Sequence, residues 1–329
     1  MSSSVNIIIA ADFALAEKLA AILEQSKLAS AQVTIIEAEK FSEEQNIRFN
    51  GKYVEQVNFE DDIEWREYDY LLFAGRLEQV TYLAAAAEAG CIAIDVLGIC
   101  AYLSDIPAVV PTVNNEMLAD LRQRNIVSLP TPQIAQLALV LKPLLQQYEL
   151  TQLSVTSLLP MSYFGEKKIR ELVGQTAQLL NGVPLDEEQQ RLAFDVAPLY
   201  NREDINKQRI LLAKVLPEFT GQFIEHQIQS PVFYGFAQQI TVSGYDLEQV
   251  ALDDIWQQTG LLQCHSEKLI TPVINGETEE TAKQLPQLHL SQMYSENGQL
   301  SLWAVSDERG FTRARLAIEL LLIVDEWQG

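Results

Sequence analysis

Val5-Asn-Ile-Ile-Ile is a continuous apolar run of strand length, and it constrains the fold more than any other feature of the chain. A strand with one wet face alternates polar and apolar residues. A run without alternation is buried on both faces, as in a parallel sheet covered by helices. Asp12 then precedes a helical stretch to about Gln25, with Ala16, Leu19, Ala20 and Leu23 on one stripe. Val33 to Glu37 and Tyr68-Asp-Tyr-Leu-Leu-Phe read as further strands, and Gln79 to Ala89 as an alanine-rich helix. Cys91-Ile-Ala-Ile-Asp is a fourth strand after the helix-stopping Gly90. This alternation predicts an α/β, doubly wound, Rossmann-type domain with right-handed crossovers.

The pattern changes near residue 130. Leu129-Pro-Thr-Pro-Gln holds prolines that neither a helix interior nor a central strand accepts. A long helix is predicted from Gln133 to about Tyr148, a strand over Ser154 to Leu159, and helices over Glu166 to Leu180 and Arg202 to Leu216. From Ile224 the period becomes two. Pro231-Val-Phe-Tyr-Gly-Phe, Gln239-Ile-Thr-Val-Ser and Leu300-Ser-Leu-Trp-Ala-Val-Ser read as strands, and Thr312 to Glu326 as a closing apolar helix. The second half is therefore α+β with a mixed or antiparallel sheet.

The charge narrows the partners. With 23 Lys and Arg against 45 Asp and Glu, the formal net charge is −22, which opposes nucleic acid, and the densest basic group (Lys167, Lys168, Arg170) lies among acids. Such acidity reads as a solvated surface or, more sharply, as attraction to a basic protein partner. No apolar run reaches the roughly 18 residues of a membrane span, and Met1-Ser-Ser-Ser-Val-Asn carries no basic n-region of a signal peptide. Three cysteines, Cys91, Cys100 and Cys264, fit a reducing compartment, so a cytoplasmic location is expected.

Several stretches, in order along nearly the whole chain, resemble the aspartate-semialdehyde dehydrogenase family. They are Ala85-Ala-Ala-Glu-Ala-Gly-Cys-Ile-Ala-Ile-Asp95, Ile106-Pro-Ala-Val-Val-Pro-Thr-Val-Asn-Asn115, Leu137-Ala-Leu-Val-Leu-Lys-Pro-Leu144, Ser230-Pro-Val-Phe-Tyr-Gly235 and Leu302-Trp-Ala-Val-Ser-Asp307. The resemblance implies a dinucleotide-type domain over 1–128, to which 309–329 returns, and an α+β dimerisation domain over 129–308. It also implies a homodimer.

The same resemblance implies that the chemistry is missing. The glycines that let a family member's first turn approach a pyrophosphate correspond to Ala10, Phe13 and Ala16, with Asp12 set to cap the helix amides itself. A second loop, Phe73-Ala-Gly-Arg-Leu77, keeps Gly75 but has Arg76 where the family has glycine. The nucleophilic cysteine falls at Pro132, the histidine base at Phe236 and the orienting glutamine at Leu159. The substrate-holding arginines fall at Ala101 and Gln229, and a glycine-rich segment has become Pro160-Met-Ser-Tyr-Phe-Gly165. A phosphate-binding lysine persists as Lys207.

No cofactor is expected on this reading, or NADP or NAD if the fold still binds one. The chain resembles the catalytically degenerate, Usg-type members of the family, whose remaining role would be protein binding or scaffolding. The alternative is an NAD(P)-linked oxidoreductase, or a binder of a phosphorylated ligand held by Arg76 and Lys207. Cys91 and Cys100 read as core residues, Cys264-His265 as a thiol–imidazole pair that only a turn would bring together, and His226, His265 and His289 lack metal-ligand spacing. The vacated cleft is expected to be apolar, with Pro132, Phe236 and Leu159 in contact.

Overall fold

The structure is a computed structural model that describes residues 5–42, 44–59, 61–247, 255–256, 260–272 and 284–328. The chain begins with β1 (Asn6–Ala11), α1 (Phe13–Leu23), β2 (Gln32–Glu37), β3 (Arg48–Phe49), β4 (Lys52–Tyr53) and β5 (Glu55–Val57). It continues with β6 (Tyr70–Phe73), α2 (Val80–Glu88), β7 (Ile92–Asp95), β8 (Ile126–Ser128), α3 (Pro132–Leu145) and β9 (Leu150–Leu159). Next come α4 (Glu166–Leu180), β10 (Ala197–Leu199), α5 (Arg202–Val215), β11 (Gln222–Gln229) and β12 (Phe236–Gly244). The last elements are β13 (Leu262–His265), β14 (Leu288–Glu296), β15 (Gln299–Ser306) and α6 (Leu316–Gln328).

Two units form. The first comprises the chain up to Leu139, Ile210–Pro217 and the chain from Arg309; the second is Val140–Arg209 with Glu218–Glu308. This corrects the expected boundary at residue 129. Leu129 is tied into the first unit by its amide, which donates to the Asp95 carbonyl at 2.9 Å. The end of α5 also joins the first unit, because Lys214 is anchored there.

In the first unit the sheet order is β5-β2-β1-β6-β7-β8, every pairing parallel. The chain moves outward from β1 and then returns to β6, so the order reverses between these two strands. Ile7, Ile8 and Ile9 are fully buried, which accounts for the unalternating run. α6 belongs to this unit, where Tyr70 Oη donates to Asp325 at 3.0 Å and Lys27 pairs with Glu326 at 2.5 Å.

Asp95, fully buried at the end of β7, accepts from the Gly98 amide at 3.0 Å, the Cys100 amide at 2.7 Å and Ser128 Oγ at 2.7 Å. The turn held this way exposes carbonyls that Lys214 collects. Its Nζ donates to Ala101 O at 2.9 Å, Leu103 O at 2.6 Å and Ile106 O at 2.5 Å. Partial burial lowers the affinity of this amine for its proton.

The second unit is built on a mixed sheet in the order β10-β11-β9-β12-β15-β14-β13. β11 runs parallel to β9 and β13 parallel to β14, and the other pairings are antiparallel. Pro231 to Gly235 is a turn rather than the predicted strand, and β12 begins only at Phe236. Gly235 has φ +92, and a Cβ there would stand 2.7 Å from Pro272, so both backbone and packing demand glycine.

At the β13 edge His265 Nε2 lies 3.0 Å from His289 Nδ1, with ring centroids 5.2 Å apart. Each imidazole nitrogen lies about 1.1 Å from its ring centre, so the rings meet nearly head-on. That is the geometry of one shared N–H···N bond. Burial, with His265 and Lys268 adding positive charge, pushes His289 down to about 4, and burial with Lys268 also lowers His265.

Two outcomes follow. Lys214→Met is expected to destabilise the chain by about 1–2 kcal/mol, read by urea denaturation, because it strips a shared donor from carbonyls partly out of water. Both imidazoles are held below their unfolded value near 6.5. The stability they contribute is therefore complete above that pH and lost as pH falls through about 4. Comparing melting temperatures from pH 7 to 4, His289→Gln is expected to flatten the acid decline relative to the native chain. Parallel curves would refute the imidazole assignment.

Candidate functional site

The sheet reversal between β1 and β6 is where a doubly wound domain ordinarily holds a dinucleotide. Here the link from β1 to α1 is one residue, Asp12. Its carboxylate Oδ1 accepts from the Leu15 amide at 3.0 Å, and its carbonyl accepts from Ala16 at 2.9 Å. A helix N-terminus attracts a phosphate through such free amides, and this one is capped by its own acid. Ala10 and Ala16 are fully buried. The Phe13 ring is half-buried and lies edge-on to Phe41, with centroids 5.4 Å apart.

The second loop is equally committed. A Cβ on Gly75 would meet the Phe73 ring at 2.7 Å, so this glycine serves close packing inside its own turn. Arg76 Nη2 pairs with Glu39 at 2.6 Å, and the Arg76 amide donates to Gln79 Oε1 at 2.7 Å. The guanidinium offered by the sequence as an anion ligand thus already has a carboxylate.

Pro132 is the first residue of α3, where a missing N–H is harmless because that amide has no helical partner. It is buried and has no nucleophilic atom. Ala101 is fully buried, and its carbonyl receives Lys214. Lys214 itself was not singled out from sequence. The available signal was its place on α5 seven residues after Lys207, two helical turns along the same stripe.

In the second unit the register gathers three of the altered positions. Gln229 pairs with Leu159 across β11 and β9, and the β9–β12 register continued by one residue sets Phe236 opposite Leu159. All three are buried.

The strands that carry the trio, and the segments beside them, also hold buried polar groups. Gln238 Nε2 donates to Ser157 Oγ at 3.1 Å, and Ser230 Oγ donates to Leu159 O at 3.1 Å. Glu225, on β11, accepts from Gln227 at 3.1 Å, and burial pushes its carboxyl up to about 7. Glu308, fully buried, accepts from Ser162 Oγ and from the Gly235 amide, the latter at 3.2 Å. Sequence reasoning found neither acid, because both fall outside the resembling motifs' functional positions.

Lys207 lies on α5 and pairs with Glu203 at 2.8 Å, a helical i,i+4 pair on an exposed face. Cys264 and His265 are consecutive residues of β13 and so face opposite ways; His265 meets His289 instead. Cys91 and Cys100 are buried, with thiols pushed up to about 12 and about 11 by burial, so neither is a ready nucleophile. Among the described residues no group of three or more His, Cys, Asp or Glu is placed to hold a metal ion, and no helix is long and apolar enough to cross a membrane.

Comparison with known proteins agrees with this geometry. The family model described as "Semialdehyde dehydrogenase, dimerisation domain" matches residues 141–307. The chain is 49% identical over 322 residues to the USG-1 protein homolog of Haemophilus influenzae, covering 98% of each. It is 32% identical to aspartate-semialdehyde dehydrogenase 2 of Vibrio cholerae, covering 79% of this chain and 80% of that one. The crystal structure of aspartate semialdehyde dehydrogenase II from Vibrio cholerae superposes with a TM-score of 0.86 at 26% identity, covering 98% of this chain and 99% of the other. The chain belongs to the aspartate-semialdehyde dehydrogenase family, among its Usg-type members.

Proposed function

We propose that this chain is a non-catalytic, homodimeric member of its family that acts in the cytoplasm by binding another protein. The observation that carries the reading is the pair Pro132 and Phe236. They stand where the family resemblance calls for a thiolate and an imidazole, and neither side chain can attack a carbonyl or move a proton. Leu159, Gln229 and Ala101 extend the same loss to the groups that would orient and hold a substrate. A net charge of −22 favours a basic partner.

NAD(P), the cofactor the family implies, does not fit the residues present. The Asp12 carboxylate caps the Leu15 amide and sets a negative charge at the helix start that would receive the pyrophosphate, and Arg76 is paired with Glu39. Lys207 is likewise held by Glu203, which weakens the rival reading of a phosphorylated-ligand site built on Arg76 and Lys207. The homodimer is supported by the match of residues 141–307 to a dimerisation domain.

Calorimetric titration with NADP and NAD is expected to give no binding tighter than about 100 μM, equivalent to about −5.5 kcal/mol. Turnover of aspartate semialdehyde with phosphate and NADP is expected to be absent, and Pro132→Cys alone is expected to leave it absent because Phe236 still supplies no base. Measurable turnover by the native chain sinks the proposal. Light scattering is expected to give twice the mass of the chain at micromolar concentration, and a concentration-independent monomer would overturn the assembly.

A further inference from the structure

We propose that Glu308 is a built-in occupant of a small-oxyanion site, whose donors are Ser162 Oγ and the Gly235 amide. A free carboxylate or phosphate would take the same place once Glu308 leaves it. The inference rests on the reading of the chain as non-catalytic, since it treats the position beside Phe236 as vacated by chemistry.

The donors are fixed before any anion arrives. Met161 N donates to Val232 O at 2.9 Å and Ser162 N to Phe233 O at 3.0 Å, which pins the short turn Met161–Phe164 onto the segment leading to Gly235. Gly235 is set by its φ of +92 and by Pro272, which leaves no room for a side chain. Its amide therefore points one way and cannot turn aside. A hydroxyl and a rigid backbone N–H converging on one carboxylate, away from solvent, is the arrangement that stabilises oxyanions elsewhere.

The two oxygens are divided between the donors. Oε1 takes the Ser162 hydroxyl and Oε2 takes the Gly235 amide, so Glu308 spans the site as a bidentate anion would. Ser162 is 2% exposed and Glu308 is 0% exposed, so water does not compete for either group. Glu308 is also the last residue of the second unit, and the chain enters the first unit at Arg309.

Glu308→Ala tests the assignment by thermal unfolding in sodium acetate against sodium chloride at equal ionic strength. Acetate is expected to stabilise E308A saturably, by about 3 °C at ten times its dissociation constant. The native chain and the double variant S162A/E308A are expected to show no acetate-specific shift. Inorganic phosphate is the second probe: stabilisation by both anions marks a general oxyanion site, and by acetate alone a carboxylate site. Equal curves for E308A in acetate and chloride overturn the proposal, as does an unchanged acetate response in the double variant. If E308A does not fold, E308S is read by the same titration, and failure of acetate to restore folding to either variant also overturns it. The native chain's turnover and NADP binding are measured separately, so loss of the non-catalytic reading is distinguishable from loss of the anion site.

Discussion

The Asp95 carboxylate holds together the part of the first unit from which a family member's chemistry would depart. Two amides and a hydroxyl converge on it, joining the end of β7 to the turn at Gly98 and Cys100 and to Ser128 at the end of β8. The Leu129 amide adds a bond to the Asp95 carbonyl, and α3 leaves two residues later. A fully buried acid is costly unless its oxygens are satisfied, and these are. The anchor needs no ligand and no catalytic side chain. Pro132 and Ala101 contribute no side-chain bond to this arrangement, so the scaffold does not depend on which side chains stand at those two positions.

Losing a reactive group is not the same as becoming apolar. Cysteine to proline, histidine to phenylalanine and glutamine to leucine would each make a site drier. Around Leu159 and Phe236, however, the second unit keeps Ser157 with Gln238, and Glu308 with Ser162 and Gly235. These polar groups satisfy one another. A buried polar network is stabilising only when its members are paired, and replacing one member alone leaves its neighbour unsatisfied.

Much of the fold was legible because its strongest signals are local. The unalternating β1, the acid at Asp12, the helix over Glu166–Leu180 and the strand over Gln299–Ser306 all follow from periodicity and caps that a short window contains. The Asn50-Gly51 turn was equally local, with φ of 52 and 73 suited to a tight hairpin, but its two-residue strands were too short to show a pattern. β13 and β14 escaped notice for another reason: β13 is four residues long and pairs in parallel with a strand more than twenty residues away. The strand expected at Pro231–Phe236 failed because Gly235, at φ +92 and close against Pro272, turns the chain, and Phe233 and Tyr234 stay exposed.

For the site, the resemblance located positions but not replacements. It singled out Ala101 and Phe236, yet it had no means of saying that Lys214 delivers its ammonium to Ala101 O or that Glu308 bonds the amide preceding Phe236. Both replacements come from residues distant in sequence, 113 and 73 positions away, and both satisfy backbone groups. Whatever side chains a site carries, it has amides and carbonyls, whose directions are set by the fold and whose desolvation must be offset. Side chains that meet this demand are under the same physical pressure as core residues. In this chain the site is consequently read from its backbone polar groups and the side chains that satisfy them, as much as from the positions that the family resemblance marks.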